Sequence, residues 1–521
     1  MNTSETATTA PEIVAPVAGA TRPKSYGDIV KSSSIIGGAQ GARLLIGMVQ
    51  TKLVAVLLGP SGVGLVGLYQ SATGLIGTVS GLGIGQSAVR EVAEAHGSGN
   101  PERVARTVKV LRRACWVTGL LGWLLAVVLA WPLSVWTFGT PERAVPIALL
   151  GATLLLTSIS AGQMALVQGC RRIGDLARLQ VLSAVGSTVI SVGLYAWLGE
   201  RGIVPVLIIV GAVNFGFSWW IARRVPLVVV TTTWRESFRE SGRLVSLGVA
   251  FMWSGVLVAG VGLATRAWIV RDFGTEANGI YQAAWGISGV FAGFILQAMG
   301  TDFYPRLTAV AKDNSEVNRL VNEQTEVGIL LALPGLLATL VFAPWAIRLF
   351  YTAKFLEAGE LLPWFVLGIF GKVLSWPLGF IQLAKGASST FAATETLFGA
   401  LLLLLTWLGL RWWQVPGVAV AFALLYGVYV VGMRWVAGWL SGFRWSSSVR
   451  RLLFQSAAAV IAAFAIANLF PPQVTAVGGG LLLLAATYLC LVRLTARLGP
   501  EHRISRFAAR FALLGMSRRP S

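Results

Sequence analysis

Five cations lie inside long apolar runs: Arg43, Lys52, Arg90, Arg266 and Lys372. An ionisable side chain at a bilayer centre costs about 2.5–3.5 kcal/mol on insertion scales, so it is expected to face a cavity, a partner or a ligand. Lys372, within Gly368-Ile369-Phe370-Gly371-Lys372-Val373, is near the middle of its run, and Arg43, within Gly41-Ala42-Arg43-Leu44, is well inside the first. Lys52 and Arg266 stand seven residues before Gly59 and eight before Gly274, which sets a cation at nearly the same depth in two separate helices. Fixed positive charge at depth suits an anion, and guanidinium and ammonium groups are the side chains that hold phosphate oxygens. A pyrophosphate carried by a membrane lipid is the anion that fits such a lumen. The alternative for Lys52, Arg90 and Arg266 is snorkelling to an interface. For Arg43 and Lys372 it is a structural pairing with helix carbonyls.

Other chemistry is sparse. Glu91, Asp302, Glu326 and Glu395 fall near span ends on the side that the charge count below makes cytoplasmic, and Glu276, Glu357 and Glu360 near outer ends, so the sequence sets no carboxylate at a span centre. Cys115, Cys170 and Cys490 lack metal-ligand spacing and His96 is far from His502, so neither a zinc site nor a disulfide framework is readable. Gly478-Gly479-Gly480 precedes a leucine run, and the sequence carries no P-loop, which excludes direct ATP hydrolysis. No residue set calls for a metal or cofactor or marks an enzyme. The tryptophans cluster near span ends, as at Trp131 and Trp136, Trp219 and Trp220, and Trp412 and Trp413, where aromatic rings anchor at the interface. Sugar stacking on Trp136 or Trp412 is the alternative. Gly74, Gly77, Gly81, Gly83 and Gly85 are at small-xxx-small or closer spacing and read as tight helix packing.

The elements that position these residues follow from composition. Of 521 residues 55% are hydrophobic and only 12% charged, with a mean hydropathy of +0.71, which excludes an ordinary soluble domain. Apolar runs long enough to cross a bilayer fall at about 29–58, 63–92, 108–130, 146–167, 179–198 and 203–222. Six more fall at 244–270, 279–304, 327–347, 361–383, 391–410 and 418–440, and two at 452–470 and 474–492 around the Pro471-Pro472 turn. The fold class is an all-α polytopic membrane protein of 14 transmembrane helices. The organisation predicted is a disordered cytoplasmic tail (1–25), an N-lobe of six spans (26–222), a cytoplasmic linker (223–243), a C-lobe of six (244–440), two more spans (441–496) and a basic cytoplasmic tail (497–521).

A net charge of +20 would suggest nucleic acid in a soluble chain, but here the basic residues sit between apolar runs and report topology instead. Threading the chain with its N-terminus inside puts 31 of 42 Lys and Arg on the cytoplasmic side and six outside (Arg143, Arg201, Arg271, Arg348, Lys354 and Arg411), which sets both termini in the cytoplasm.

An internal repeat supports two related halves. Tyr69-Gln70-Ser71-Ala72-Thr73-Gly74 recurs as Tyr281-Gln282-Ala283-Ala284-Trp285-Gly286 at a shift of 212, while a shift of 215 pairs Gly59 with Gly274 and Gly64 with Gly279. Six spans followed by six related ones in the same orientation imply two pseudo-symmetric lobes around a central cavity. Gln70 and Gln282, with Arg90, are secondary binding candidates beside Arg43, Lys52, Arg266 and Lys372.

The stretch Thr51-Lys52-Leu53-Val54-Ala55-Val56-Leu57-Leu58-Gly59-Pro60-Ser61-Gly62-Val63-Gly64-Leu65, continuing to Gly85, resembles the start of O-antigen translocases. These are Wzx-type flippases of the multidrug/oligosaccharidyl-lipid/polysaccharide (MOP) exporter superfamily. The resemblance implies an alternating-access flippase in the bacterial inner membrane that moves undecaprenyl-pyrophosphate-linked oligosaccharide to the outer leaflet. It implies membrane lipids, a polysaccharide polymerase and a chain-length regulator as partners, and Arg43, Lys52, Arg266 and Lys372 as the cavity cations. Many relatives have twelve spans; lipid II flippases have fourteen, the last two helping to form a groove for the lipid tail. A multidrug or cation antiporter of the same superfamily, the main alternative, is expected to carry a deep carboxylate. A polymerase or ligase acting on the same lipids is expected to carry a large outer loop.

The charge split makes a direct prediction. A reporter active only in the cytoplasm is active when fused after Arg112, Arg239 or Arg497, and silent at Arg201 or Pro472. Opposite activity at two or more sites overturns the orientation.

Overall fold

The computed structural model describes residues 26–498. The two predicted tails and His502 lie outside the described residues. Thirteen α-helices follow one another with no strand among the described residues: α1 (Tyr26–Gly81), α2 (Ile84–Gly97), α3 (Pro101–Phe138), α4 (Ala144–Gly169), α5 (Ile173–Leu198), α6 (Ile203–Ala222), α7 (Trp234–Ala309), α8 (Asn314–Val341), α9 (Ala343–Phe350), α10 (Ala358–Ala384), α11 (Ser388–Ser441), α12 (Ser447–Leu469) and α13 (Pro472–Leu498).

Ten apolar helical stretches are long enough to cross a membrane, and four of them, of 45, 50, 39 and 54 residues, are too long to cross once. At 1.5 Å per residue these would reach about 60–80 Å, at least twice the hydrocarbon thickness. Each contains one reversal: Gly59 in α1, the 199–202 turn between α5 and α6, Gly274 in α7 and Gln414 in α11. The ten stretches therefore contain fourteen crossing segments, the number expected from the sequence. Spans 1 and 2 are the arms of α1, spans 7 and 8 those of α7, and spans 11 and 12 those of α11.

Tight turns reverse the chain through residues of positive φ, including Gly59 (65°), Gly139 (74°) and Gly274 (88°). At the basic end several helices also start with side-chain N-caps. Asn100 accepts from the amides of Glu102 and Arg103, Thr233 and Glu236 form a capping box, and Ser446 accepts from Val449 N. Asp313 caps α8, and hydrogen bonds from the Ser315 hydroxyl and the Glu316 and Ser315 amides hold its carboxyl below the ordinary range.

Two elements depart from the expected spans. The second span stops at Gly81, because Leu82 (φ 49°) and Gly83 (φ 70°) turn the chain into the separate helix α2. This helix is amphipathic and buries Ile84, Ala88, Val92 and Ala95 against α3 and α4. The ninth span ends at Phe342 and is followed by the short helix α9.

Buried clusters follow the two halves. Leu58, Leu65, Tyr69, Ile147 and Tyr195 pack within the first six spans, while Tyr281, Leu333, Phe365 and Phe422 belong to a cluster centred on the second six. The halves meet where α1 and α7 touch main chain to main chain. A Cβ on Gly64 would lie 2.0 Å from Thr275 O, and one on Gly279 would lie 1.9 Å from Pro60 O. At a shift of 215 these are one contact seen twice, as expected about a two-fold axis. Asn278 donates to Gly64 O (2.7 Å), and the Ser61 and Thr275 hydroxyls are 2.9 Å apart. Gly67 lies against Gln282, its own mate at that shift. The shift of 215 therefore carries the symmetry, and the 212-residue match does not. The last two spans pack on α8, where a Cβ on Gly479 would sit 2.6 Å from Val341.

Gly64→Ala and Gly279→Ala should each destabilise the protein by about 1–3 kcal/mol, read as a lower thermal unfolding midpoint in detergent, because main chain must shift to admit the methyl. Gly193→Ala, with nothing within 4 Å of the new carbon, is the neutral control. Equal midpoints for all three would contradict the close approach.

Candidate functional site

The structure assigns the five in-span cations very different surroundings. Arg90 is exposed on α2, beyond the Leu82-Gly83 break, and so does not lie within a membrane span as the sequence suggested. Lys52 is held by α9: its ammonium donates to Arg348 O (2.6 Å) and to Tyr351 O. These carbonyls are at the C-terminal end of α9, where unpaired acceptors and the helix dipole favour a cation. Lys52 thus secures a helix end, although its depth matches that of Arg266.

Arg266, Lys372 and Glu395 line one cavity of about 200 Å³ among spans 7, 8, 10, 11 and 12. Arg266 is 9% exposed. Its Nε and Nη2 donate to Gln282 Oε1 (3.2 and 3.0 Å), Nη1 donates to Gly262 O (2.9 Å), and the guanidinium carbon lies 5.3 Å from the centre of the Tyr281 ring. These contacts fix the plane of the group while leaving other N–H donors uncommitted. Lys372 is half-buried, and its ammonium makes no hydrogen bond or ion pair among the described residues, although the Glu395 carboxylate faces the same cavity. An aromatic wall closes the site: Trp285 packs edge-on against Phe365 and Phe422, with centroids 5.5 and 5.2 Å away.

Arg43 lies elsewhere. It is exposed in a groove of about 830 Å³ between span 1, span 8 and α8–α9, lined by Gly47, Thr51, Gly286, Gly293, Gly335 and Phe342 among others. Like Lys372, it has no hydrogen bond or ion pair among the described residues. The four primary candidates are therefore divided: Arg266 and Lys372 share a cavity, Arg43 has a groove between the halves, and Lys52 is committed to main chain. The secondary candidates also separate. Gln282 holds Arg266, whereas Gln70 lines a third cavity, of about 440 Å³, within the first six spans.

Comparison with known proteins agrees with this architecture. A family described as polysaccharide biosynthesis protein matches residues 29–251. The Lipid III flippase of Escherichia coli (strain K12) is 24% identical over 408 residues, 75% of this chain and 92% of the relative. Among solved structures, the lipid II flippase MurJ in an inward closed conformation superposes with a TM-score of 0.64 at 13% identity, over 88% of this chain and 99% of that one. An inward-facing multidrug resistance MATE family transporter of the MOP superfamily gives 0.63 at 14% identity, over 76% and 95%. The chain has the fold of these two transporters. It is a multi-pass membrane protein, and the relatives named are transporters rather than enzymes.

Within this fold, Glu395 gains a role that its place near a span end did not suggest. It faces the cavity that Lys372 lines, accepting from Ser254 Oγ (2.7 Å) and Tyr429 OH (3.2 Å). Helix α11 begins at Ser388, so Glu395 is two turns in, deeper than a span starting at 391 implies. The polar triplet Thr394-Glu395-Thr396 inside an apolar run is the signal the sequence offers. The partners Ser254 and Tyr429, from spans 7 and 12, carry no sequence signal.

The contrast between the two lysines is testable by unfolding. Lys52→Ala should lower the midpoint, since it leaves Arg348 O and Tyr351 O without a charged donor, at about 1.5–3 kcal/mol for such bonds. Lys372→Met should hold or raise it, because it removes a half-buried charge that makes no bond. Equal losses in both variants would mean that Lys372 is structural too.

Proposed function

We propose that the protein flips lipid-linked oligosaccharides, carrying an undecaprenyl-pyrophosphate-linked surface polysaccharide unit of the O-antigen type from the inner to the outer leaflet. The observation that carries this reading is the convergence of Arg266 and Lys372 on one cavity, with the Lys372 ammonium making no hydrogen bond or ion pair among the described residues. With two cations to the one carboxylate of Glu395 the cavity keeps an excess positive charge, which in a membrane interior is stabilised by an anionic ligand, and a pyrophosphate offers several oxygens to two such groups. Arg43, in the groove between the halves, would meet the same headgroup on its way in while the prenyl chain stays in lipid. Substrate binding at both ends of an alternating-access cycle shifts the population between two states, provided that the contacts differ in each. The relatives' names, flippases of lipid II and lipid III, support the substrate class. The positive-inside count supports cytoplasmic termini. A polysaccharide polymerase and a chain-length regulator are the proposed partners that use the flipped units.

One observation favours a second reading. Glu395, oriented by Ser254 and Tyr429, is a carboxylate in the transport domain of the kind a cation antiporter uses. With Arg266 and Lys372 in the same cavity the site holds two cations to one carboxylate, which disfavours an organic cation by Coulomb repulsion.

Arg43→Ala and Lys372→Ala should each abolish surface glycan assembly at normal protein levels, and Arg43→Lys should retain more than Arg43→Ala. Export at the wild-type rate by both alanine variants contradicts the anion role. Proton-coupled uptake of a cationic dye by the purified protein, lost in Glu395→Gln, would replace the flippase with the antiporter.

A further inference from the structure

The cavity in the first six spans has a different character from the other two. Its lining carries no Asp, Glu, Lys, Arg or His, but seven hydroxyls and the amide of Gln70. It is also not a packing defect. A Cβ on Gly74, Gly81 or Gly85 would meet nothing within 4 Å, so these glycines leave space open and do not admit a neighbouring helix as their spacing suggested. About 440 Å³ is within the range of small-molecule sites, roughly 300–1,000 Å³. The cavity borders the junction of the halves, since its lining residue Thr78 stands 3.0 Å from a Cβ built on Gly255 of span 7.

The hydrogen bonds set what the lining can recognise. Thr73 donates to Tyr69 O (2.9 Å), Thr78 to Gly74 O (2.8 Å), Thr153 to Leu150 O (2.6 Å), Thr157 to Thr153 O (2.7 Å) and Ser158 to Cys115 O (2.9 Å). Thr118 and Ser80 likewise donate to Cys115 O and Gly77 O. A hydroxyl has one proton and two lone pairs, so a lining whose protons are committed to its own helices presents mainly acceptors. Such a wall suits a ligand rich in O–H donors and disfavours a carboxylate, which can only accept. Gln70 supplies amide donors for a carbonyl or ring oxygen.

We propose that this cavity is a sugar subsite selective for neutral, hydroxyl-rich glycans, so that the first six spans read the sugar while the second six hold the pyrophosphate. The proposal rests on the flippase reading and adds the class of headgroup. A site built to hydrogen-bond hydroxyls discriminates against a ligand that lacks them, because its polar groups then lose those partners.

The test uses the purified full-length chain in lipid nanodiscs and three probes: bare undecaprenyl pyrophosphate, the same lipid bearing a neutral hexose disaccharide, and the same lipid bearing a uronic-acid disaccharide. The neutral conjugate should bind about tenfold more tightly than the bare lipid, and the uronate conjugate no better than the bare lipid, a difference typical of a few well-made hydrogen bonds. Thr73→Val combined with Thr157→Val, from spans 2 and 4, should erase the sugar increment and leave bare-lipid binding intact. Gly74→Leu, which fills the space, should do the same, and retained bare-lipid binding shows that each variant is folded. If the wild type binds bare lipid but sugars add nothing, or the variants weaken all probes equally, the subsite is wrong while the flippase reading stands. Equal affinity for neutral and uronate conjugates overturns the selectivity. If no pyrophosphate lipid binds at all, both readings fall together.

Discussion

In hydrocarbon a charge or an unpaired peptide group has no water to turn to, and each one left unsatisfied costs several kcal/mol. That constraint accounts for the all-helical architecture, since a helix pairs its own main chain. It also makes the location of each intramembrane cation meaningful. Lys52 meets the constraint by binding carbonyls of α9, and Arg266 by binding Gln282 and Gly262. Arg43 and Lys372 are left facing cavities with no such partner among the described residues. The same residue type thus serves as a helix clamp in one place and faces an open cavity in another, according to whether a neighbouring main chain ends beside it.

The same constraint shapes the junction of the halves. No hydrophobic drive separates helix from lipid, so helices associate in membranes through close packing and hydrogen bonds, and small residues allow both. Gly64 and Gly279 bring α1 and α7 into main-chain contact, with Asn278 and Ser61 adding polar bonds. The contact is symmetric and sits beside the reversals at Gly59 and Gly274, where positive φ makes glycine the natural residue. A joint of this kind, tight at one level and bordered by cavities elsewhere, is suited to two bodies that rock against each other about a fixed line.

Much of this architecture is legible in the amino-acid sequence. Fourteen apolar runs, the basic connections and the pairing of Gly59 with Gly274 and Gly64 with Gly279 all follow from hydropathy, charge and spacing, because span length and turn conformation constrain residue type directly. What is not legible depends on partners distant in the chain. Nothing near Lys52 says that Tyr351, 299 residues on, supplies its acceptor. Arg90 reads as an in-span cation because the apolar run looks continuous through Leu82-Gly83, where two left-handed residues turn it. Glu395 reads as too near an end because helix α11 starts earlier than its apolar run. The glycines of span 2 mislead for a further reason: the same spacing admits a neighbouring helix or leaves a cavity, and only the surroundings of Gly74 and Gly81 tell which.

The central claim is that Lys372 faces the cavity in order to meet a lipid pyrophosphate. Binding of a short prenyl pyrophosphate to the purified protein, set against the corresponding prenol, isolates that contact from any sugar. The account predicts that wild-type protein prefers the pyrophosphate by about a hundredfold, roughly 2.7 kcal/mol, and that Lys372→Gln loses at least about tenfold of that preference without weakening the prenol. Equal affinity for the two lipids, or a preference unchanged in Lys372→Gln, would contradict it.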